Sequence, residues 1–396
     1  MTCGNIPGVV QLAGRCCGCL ACVASCHFGA LRAQEDDLGF AQPKLDSTRC
    51  TSCGACDRVC PALNDSAMDS VEGSYWCQSK KTSQLSNSSS GGVFGLLAAD
   101  ALELGGVVYG AAFADGYARV EHIRVDGAET LHRILTSKYV QSYVSPDLYP
   151  MVVSDLKDGM TVLFSGTSCQ ITALKRYLAG KKYDGSILLV DVMCHGVPSP
   201  LLWSSYVRYL EERVGDKLDS VNFRSKSSGW TTFSFRYTYR KEKVVEERHS
   251  ENWYMKAFLK NASLRQSCFD CPSKRSCGSD VTLGDYWGFD SNGKEVDADK
   301  GVSAVIVHTP KGAMHLERIF GDTVYGAAAF EDISAKNPAL EHSVVPFTKR
   351  QQFLDDVRSG MELGEVMRKW KFDRSFVQRV LGKAKSLWVR EGDVRE

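Results

Sequence analysis

The chain has 396 residues, with 48 Lys and Arg against 47 Asp and Glu and a formal net charge of +1. That balance excludes a basic nucleic-acid surface and an acidic disordered tail, and 43% apolar with 24% charged residues is an ordinary globular composition. No run reaches the roughly 20 apolar residues of a membrane span, Asp100 and Glu103 interrupting the best candidate, 91–113, and the N-terminus lacks a signal peptide's basic and apolar regions, so a cytoplasmic protein of two or three domains is expected.

Sixteen cysteines are the anomaly. A chain of this size can bury a full core without covalent staples, so clustered Cys points to metal or redox chemistry. Ten precede residue 61, three lie between 268 and 277, and Cys77, Cys169 and Cys194 stand between. Two segments share one spacing: Cys16-x2-Cys19-x2-Cys22-x3-Cys26 and Cys50-x2-Cys53-x2-Cys56-x3-Cys60, the second followed by Pro61. This is the run of bacterial two-cluster ferredoxins. A tight loop turns three thiolates onto three corners of a 4Fe–4S cubane, and the fourth Cys, on the next helical turn, faces the other cubane. The expected sets are therefore Cys16, Cys19, Cys22 and Cys60 for one cluster, and Cys50, Cys53, Cys56 and Cys26 for the other. Zinc ribbons also use C-x2-C pairs, but a triplet plus one, given twice, belongs to cubane ligation. His27 stands where the second run has Pro61, which predicts clusters of unequal potential. Cys3, Cys17 and Cys77 are read as unligated thiols.

Residues 61–90 turn polar and read as a linker, with a strand around 74–78. Val93, Phe94, Leu97, Ala98, Ala101 and Leu102 recur at helical spacing, with Ser90 as N-cap and Gly105-Gly106 as the stop. Strands are predicted over 107–113 and 120–125. TVLFS (161–165), GTSCQ and ITALKRYL form a strand–loop–helix unit, whose helix N-terminus suits an anion; a plain βα turn is the alternative. Ser186–Met193 reads as a buried strand and Pro200–Val214 as an amphipathic helix. The alternation of Phe233, Phe235, Tyr237 and Tyr239 predicts an antiparallel strand packed on one face. Cys268-x2-Cys271-x5-Cys277 lacks a fourth ligand, and Cys194, just after a strand, supplies one; on spacing alone zinc and a cluster both remain open. Val302–Thr309 gives another buried strand. From Phe353 the chain turns amphipathic-helical, and its basic stretch, 368–379, is a solvated face or a dock for an acidic electron carrier.

Six segments together resemble one family, the beta subunits of coenzyme F420 hydrogenases and dehydrogenases: SSSGGVFGLLA (88–98), GGVVYGAAF (105–113), SKYVQS (137–142), GTSCQITALKRYL (166–178), DVMCHGVPSP (191–200) and CFDCPSKRSCGSDVTLGDYWG (268–288). Ser168 stands where the family usually has Pro. The resemblance implies an iron–sulfur flavoprotein of mixed α+β and α/β class: a small bacterial-ferredoxin-like module (1–70), a larger mixed α/β flavin-binding domain (71–345) and a C-terminal helical extension (346–396). It also implies a third 4Fe–4S cluster on Cys194, Cys268, Cys271 and Cys277. FAD is then expected among Ser90, Gly91, Gly92, Lys138, Tyr139, Gln141, Ser142, Gly166, Thr167, Ser168, Cys169 and Gln170. Lys138 would set a cation beside flavin N1/O2, and Asp285 would orient backbone or ribityl hydroxyls. His195 is the candidate proton shuttle, with a hydrogen-bonding role beside the cluster as the alternative.

The implied activity is an oxidoreductase passing electrons between ferredoxin or a similar carrier, the clusters and FAD, with hydride exchange to F420 or another small organic acceptor. The rival within redox chemistry is an electron-transfer subunit without its own organic substrate; the rival outside it is a zinc-dependent interaction module. No nucleic-acid partner is expected, and self-association is left open.

Overall fold

The computed structural model describes residues 6–372. Cys3 and the basic stretch beyond 372 lie outside the described residues. Near the N-terminus each cysteine run forms a loop followed by one helical turn, Ala21–Ala24 and Ala55–Arg58. Leu20 (φ 61°) and Gly54 (φ 72°) enter these turns in the left-handed region, which a non-glycine residue adopts only when its surroundings hold it there. Between the turns, β1 (Leu31–Glu35) and β2 (Ala41–Leu45) pair antiparallel.

The larger part is built on one eight-stranded sheet. Its strands are β3 (Gly73–Ser79), β4 (Val107–Phe113), β5 (Val120–Val125), β6 (Thr161–Thr167) and β7 (Ser186–Val192), then β11 (Val281–Asp285), β12 (Ser303–Val307) and β13 (Thr323–Ala327). A separate antiparallel sheet holds β8 (Leu218–Ser225), β9 (Ser234–Tyr239) and β10 (Val244–Arg248). The eight-stranded order is β13-β3-β12-β11-β7-β6-β4-β5. Four central strands, β4, β6, β7 and β11, run parallel, and the flanking pairs are antiparallel. The parallel strands are continuous apolar runs because both faces are covered: in β7, residues 187–191 are all buried. Helix Val93–Glu103 lies over one face, and helix Ser168–Leu178 packs against β6 and β7.

The segment read as a linker is more structured than its composition suggests. Gly73–Ser79 forms β3, the second strand from one sheet edge, and Thr82–Ser86 a short helix. Gly91 serves this region rather than a ligand: a Cβ there would stand 2.3 Å from the Cys77 carbonyl oxygen and 2.6 Å from the Ser303 amide. It is the wedge that lets the helix start over β3 and β12.

The aromatic stripe is core. Phe235, Tyr237 and Tyr239 on β9 are buried with Trp203, Tyr206, Phe223 and Tyr254. The C-terminal segment, through 372, is not an appendage, since Phe353, Leu354 and Val366 enter that same core. Of its described basic residues, Arg368 and Lys369 pair with Glu365 and Asp356, and Lys371 is exposed. The ferredoxin-like part shares its core with the large sheet as well: Leu12, Cys17, Ala21 and Cys22 pack with Phe164, Ile171 and Leu174. Among the described residues no helix is long and apolar enough to cross a membrane.

Candidate functional site

Thiols of the two ferredoxin-type runs lie near one another. Burial raises the Cys22 thiol, and its charged neighbours are Cys16 and Cys60, then Cys56. Burial likewise lifts Cys56 to about 11, and Cys26 is among its neighbours. Thiols raised by burial and crowding are stabilised as thiolates only by a positive centre, which is what iron supplies. Among the described residues no three Cys, His, Asp or Glu side chains are gathered tightly enough to hold one metal ion; a cubane spreads its four thiolates over four corners. Cys53 is the one exposed cysteine among the described residues. Its thiol is held below the usual range by a hydrogen bond from the Ala55 amide, with Arg58 adding a positive charge.

The C-terminal set differs from expectation. Cys194, Cys268 and Cys271 lie near one another, and the further thiol among them is Cys169. Burial drives Cys194 and Cys271 up and takes Cys268 to about 12. Cys277 lines a small cavity together with Cys194, but its amide and thiol both meet Asp69, at 2.9 and 3.6 Å, and Asp191 is its other charged neighbour. Asp69 captures both the Cys277 and Gly278 amides. Cys169 instead opens helix Ser168–Leu178 at the end of β6, and the Thr167–Gln170 capping box fixes that corner. Cys194 and Cys169 both follow a strand, β7 and β6, and spacing alone does not choose between two such thiols.

Cys17, read as an unligated thiol, is buried, with Cys19 of the ferredoxin-like part and Cys169 of the C-terminal set as its neighbours. Around it Gln141 Nε2 donates to the Cys17 carbonyl (2.9 Å) and Tyr149 Oη to the Cys19 carbonyl (2.7 Å). Arg265 donates to the Cys16 carbonyl (2.6 Å), the Ala41 carbonyl (2.9 Å) and Gln141 Oε1 (3.0 Å). Gln141 thus bolts two parts of the chain together. Cys77 matches its reading: it is buried in β3, and burial alone pushes its thiol to about 12.

A cavity of about 540 Å³ opens at the C-terminal ends of β6, β7 and β11, where open α/β sheets bind ligands. Its volume is that of a cofactor cleft, about 300–1,000 Å³. Of the expected flavin contacts, Ser90, Lys138, Tyr139, Ser142, Gly166, Thr167 and Gln170 line it, as do Cys194 and His195. Gly91, Gly92, Gln141, Ser168 and Cys169 do not. Gly92 (φ 85°) caps the helix, and Ser168 Oγ donates to the buried Asp191 (2.8 Å). Lys138 Nζ donates to the Leu135 and Thr136 carbonyls (2.6 and 3.2 Å), and burial lowers its ammonium to about 7. Three lining residues carry buried polar atoms with no partner: Gln84 Oε1, His122 Nδ1 and Arg224 Nε. A buried polar atom without a partner costs about 1–3 kcal/mol, so this wall fits a ligand that is itself polar in places.

His195 is fixed by Asn261. Asn261 Nδ2 donates to the Val345 carbonyl (2.8 Å), so its Oδ1 accepts from His195 Nε2 (2.6 Å). That leaves Nδ1 without a proton, and burial lowers the ring's basicity. Asp285 lines the cavity, accepts from Trp230 Nε1 (3.0 Å) and pairs with Arg224 (3.0 Å). Arg224, missed in the sequence, is buried over Phe233 and beside Trp287. A lone Arg in a strand gives no sequence signal.

Comparison with known proteins matches residues 159–332 to the C-terminal region of the coenzyme F420 hydrogenase/dehydrogenase beta subunit, and residues 15–64 to a 4Fe–4S dicluster domain. No curated protein matches the sequence. Among solved structures, a chain of the xenon-derivatised F420-reducing [NiFe] hydrogenase complex from Methanosarcina barkeri is similar at 16% identity, over 73% of this chain and 93% of that one, with a TM-score of 0.46.

Proposed function

From its membership of the coenzyme F420 hydrogenase/dehydrogenase beta-subunit family, with a 4Fe–4S dicluster domain in front, we propose that this chain is an iron–sulfur flavoprotein oxidoreductase that conducts electrons between an external one-electron carrier and an organic hydride acceptor. The observation carrying this reading is the order of its thiols. Exposed Cys53 belongs to the outermost set, Cys16, Cys19, Cys22 and Cys60 follow, and Cys17 links Cys19 to Cys169. Cys169 stands with Cys194, Cys268 and Cys271, and Cys194 also lines the cavity. A line of thiolate sets running from surface to cavity suits a conductor rather than a store.

The third cluster is assigned to Cys169, Cys194, Cys268 and Cys271. The cavity is assigned to FAD, which when bound exchanges electron pairs as hydride and so converts between one-electron and two-electron chemistry. Around it Lys138 offers a cation that gains or loses its proton near neutral pH and so favours an anionic ligand below about 7. His195, neutral and held by Asn261, offers Nδ1 as a proton acceptor at the cavity wall. The acceptor is F420 or another small organic molecule. The alternative is an electron-transfer subunit with no organic substrate of its own.

Anaerobic purification tests the reading. About twelve iron and twelve sulfide per chain are expected from three cubanes, with one FAD released on denaturation. Reduced ferredoxin with F420 or another hydride acceptor should then give turnover by the purified chain alone. Cofactors without turnover would leave the electron-transfer subunit; stoichiometric zinc without iron would overturn both.

A further inference from the structure

Arg265 is a buried cation with no carboxylate beside it. It is 5% exposed, and its hydrogen bonds all go to neutral acceptors: the Cys16 carbonyl, the Ala41 carbonyl and Gln141 Oε1. Among the described residues it forms no ion pair, and the Phe40 ring lies 5.1 Å from its guanidinium carbon. Arginine keeps its charge inside proteins, and a buried charge without a counter-charge is costly. Its surroundings supply the missing negative charge once the thiols hold iron. On one side the guanidinium lies on the first cysteine run, so closely that a Cβ on Gly18 would stand 2.6 Å from Nη1. On the other, the Cys268 amide donates to the Arg265 carbonyl (3.0 Å), and the Arg265 charge favours the thiolate form of both Cys169 and Cys268. A 4Fe–4S cubane on four thiolates is itself a net anion, and its potential follows the charges around it.

We propose that Arg265 is the counter-cation shared by the two inner clusters, the one on Cys16, Cys19, Cys22 and Cys60 and the one on Cys169, Cys194, Cys268 and Cys271, and that it draws electrons inward by raising both potentials relative to the outer cluster. The proposal rests on the cluster assignment above. A fixed positive charge stabilises the form that carries the added electron, most strongly where water is excluded. The cluster on Cys50, Cys53, Cys56 and Cys26 lies toward exposed Cys53, and no hydrogen bond of Arg265 reaches its loop, so it gains less. The step that Arg265 assists is the passage of one electron from the outer cluster, which is oxidised, to an inner cluster, which is reduced; no bond forms or breaks and no proton moves. Arginine suits the position because its rigid fork meets Cys16, Ala41 and Gln141 at once, which pins the charge at the join.

The test is a potentiometric titration followed by EPR, on the full-length protein purified anaerobically with iron counted. Arg265→Gln should lower two of the three cluster midpoints, each by about tenfold in electron affinity, or about 59 mV for one electron, and leave the remaining one in place. Arg265→Lys keeps the charge but not the planar fork, and should hold all three near wild type. Gln141→Glu sets a carboxylate where the amide oxygen now stands 3.0 Å from the guanidinium. It should lower the same two midpoints with Arg265 present, and it decides the matter if Arg265→Gln does not retain iron. Midpoints unmoved in the charge-changing variants, a fall of all three together, or a shift as large in Arg265→Lys as in Arg265→Gln overturns the counter-cation role while leaving the clusters in place. Wild-type protein without iron overturns the cluster assignment, and the counter-cation with it.

Discussion

An iron-ligating thiol needs other thiols within the span of one cubane and few competing partners. Cys169 meets the first condition through Cys194, Cys268 and Cys271. Cys277 fails the second, being held by Asp69 at both amide and sulfur. A carboxylate beside a thiol also opposes its ionisation. Cys169→Ala is therefore expected to lose about four of about twelve irons, and Cys277→Ala to keep them all. Iron and sulfide analysis with low-temperature EPR of the reduced protein distinguishes the two; the reverse pattern would restore Cys277 to the set.

At the scale of elements, the site depends on how closely helix Val93–Glu103 begins over the sheet. Gly91 donates its amide to Ser303 Oγ (3.0 Å), and Ser90 Oγ donates to the Val302 carbonyl (3.0 Å). Both bonds span the start of this helix and β12, so the loop that carries Ser90 to the cavity is set by them. Gly91→Ala would drive a methyl to 2.3 Å from the Cys77 carbonyl. Overpacking of this kind costs about 1–3 kcal/mol or more, and denaturant titration with iron content held constant should show it. An unchanged midpoint would mean that β3 and β12 can separate freely. Strand identity along this sheet was legible in the sequence, because buried parallel strands such as β7 are continuous apolar runs. β3 was harder to see: its flanks are polar, and its place as the second strand from an edge comes from pairing with β12 and β13, over 200 residues away.

For the molecule as a whole, the join between the ferredoxin-like part and the sheet domain is the decisive feature. Arg265 is buried and gives three hydrogen bonds across or beside that join. Arg265→Met leaves the Cys16 and Ala41 carbonyls and Gln141 Oε1 without that donor, at about 1–3 kcal/mol for each buried group left unpaired. The expected result is faster limited proteolysis within the exposed stretch 65–72 and slower electron passage from the outer clusters to the third. Cleavage at the wild-type rate would show that the shared core of Leu12, Ala21, Phe164 and Ile171 suffices.

The sequence by itself determined the cubane spacing, the buried strands and the family resemblance, because these are written in short intervals along the chain: ligand loops of three residues, apolar runs of seven, a helix start after a strand. It also marked most of the cavity wall, since βα loops fall at strand ends whatever the loops contain. Only the tertiary structure decided that Cys169 comes near Cys194, Cys268 and Cys271, that Gly91 packs against Cys77 and Ser303, that Gln141 joins Cys17 to Arg265, and that Cys53 is exposed. Those are matters of which distant segments meet, and spacing along a chain carries no record of that.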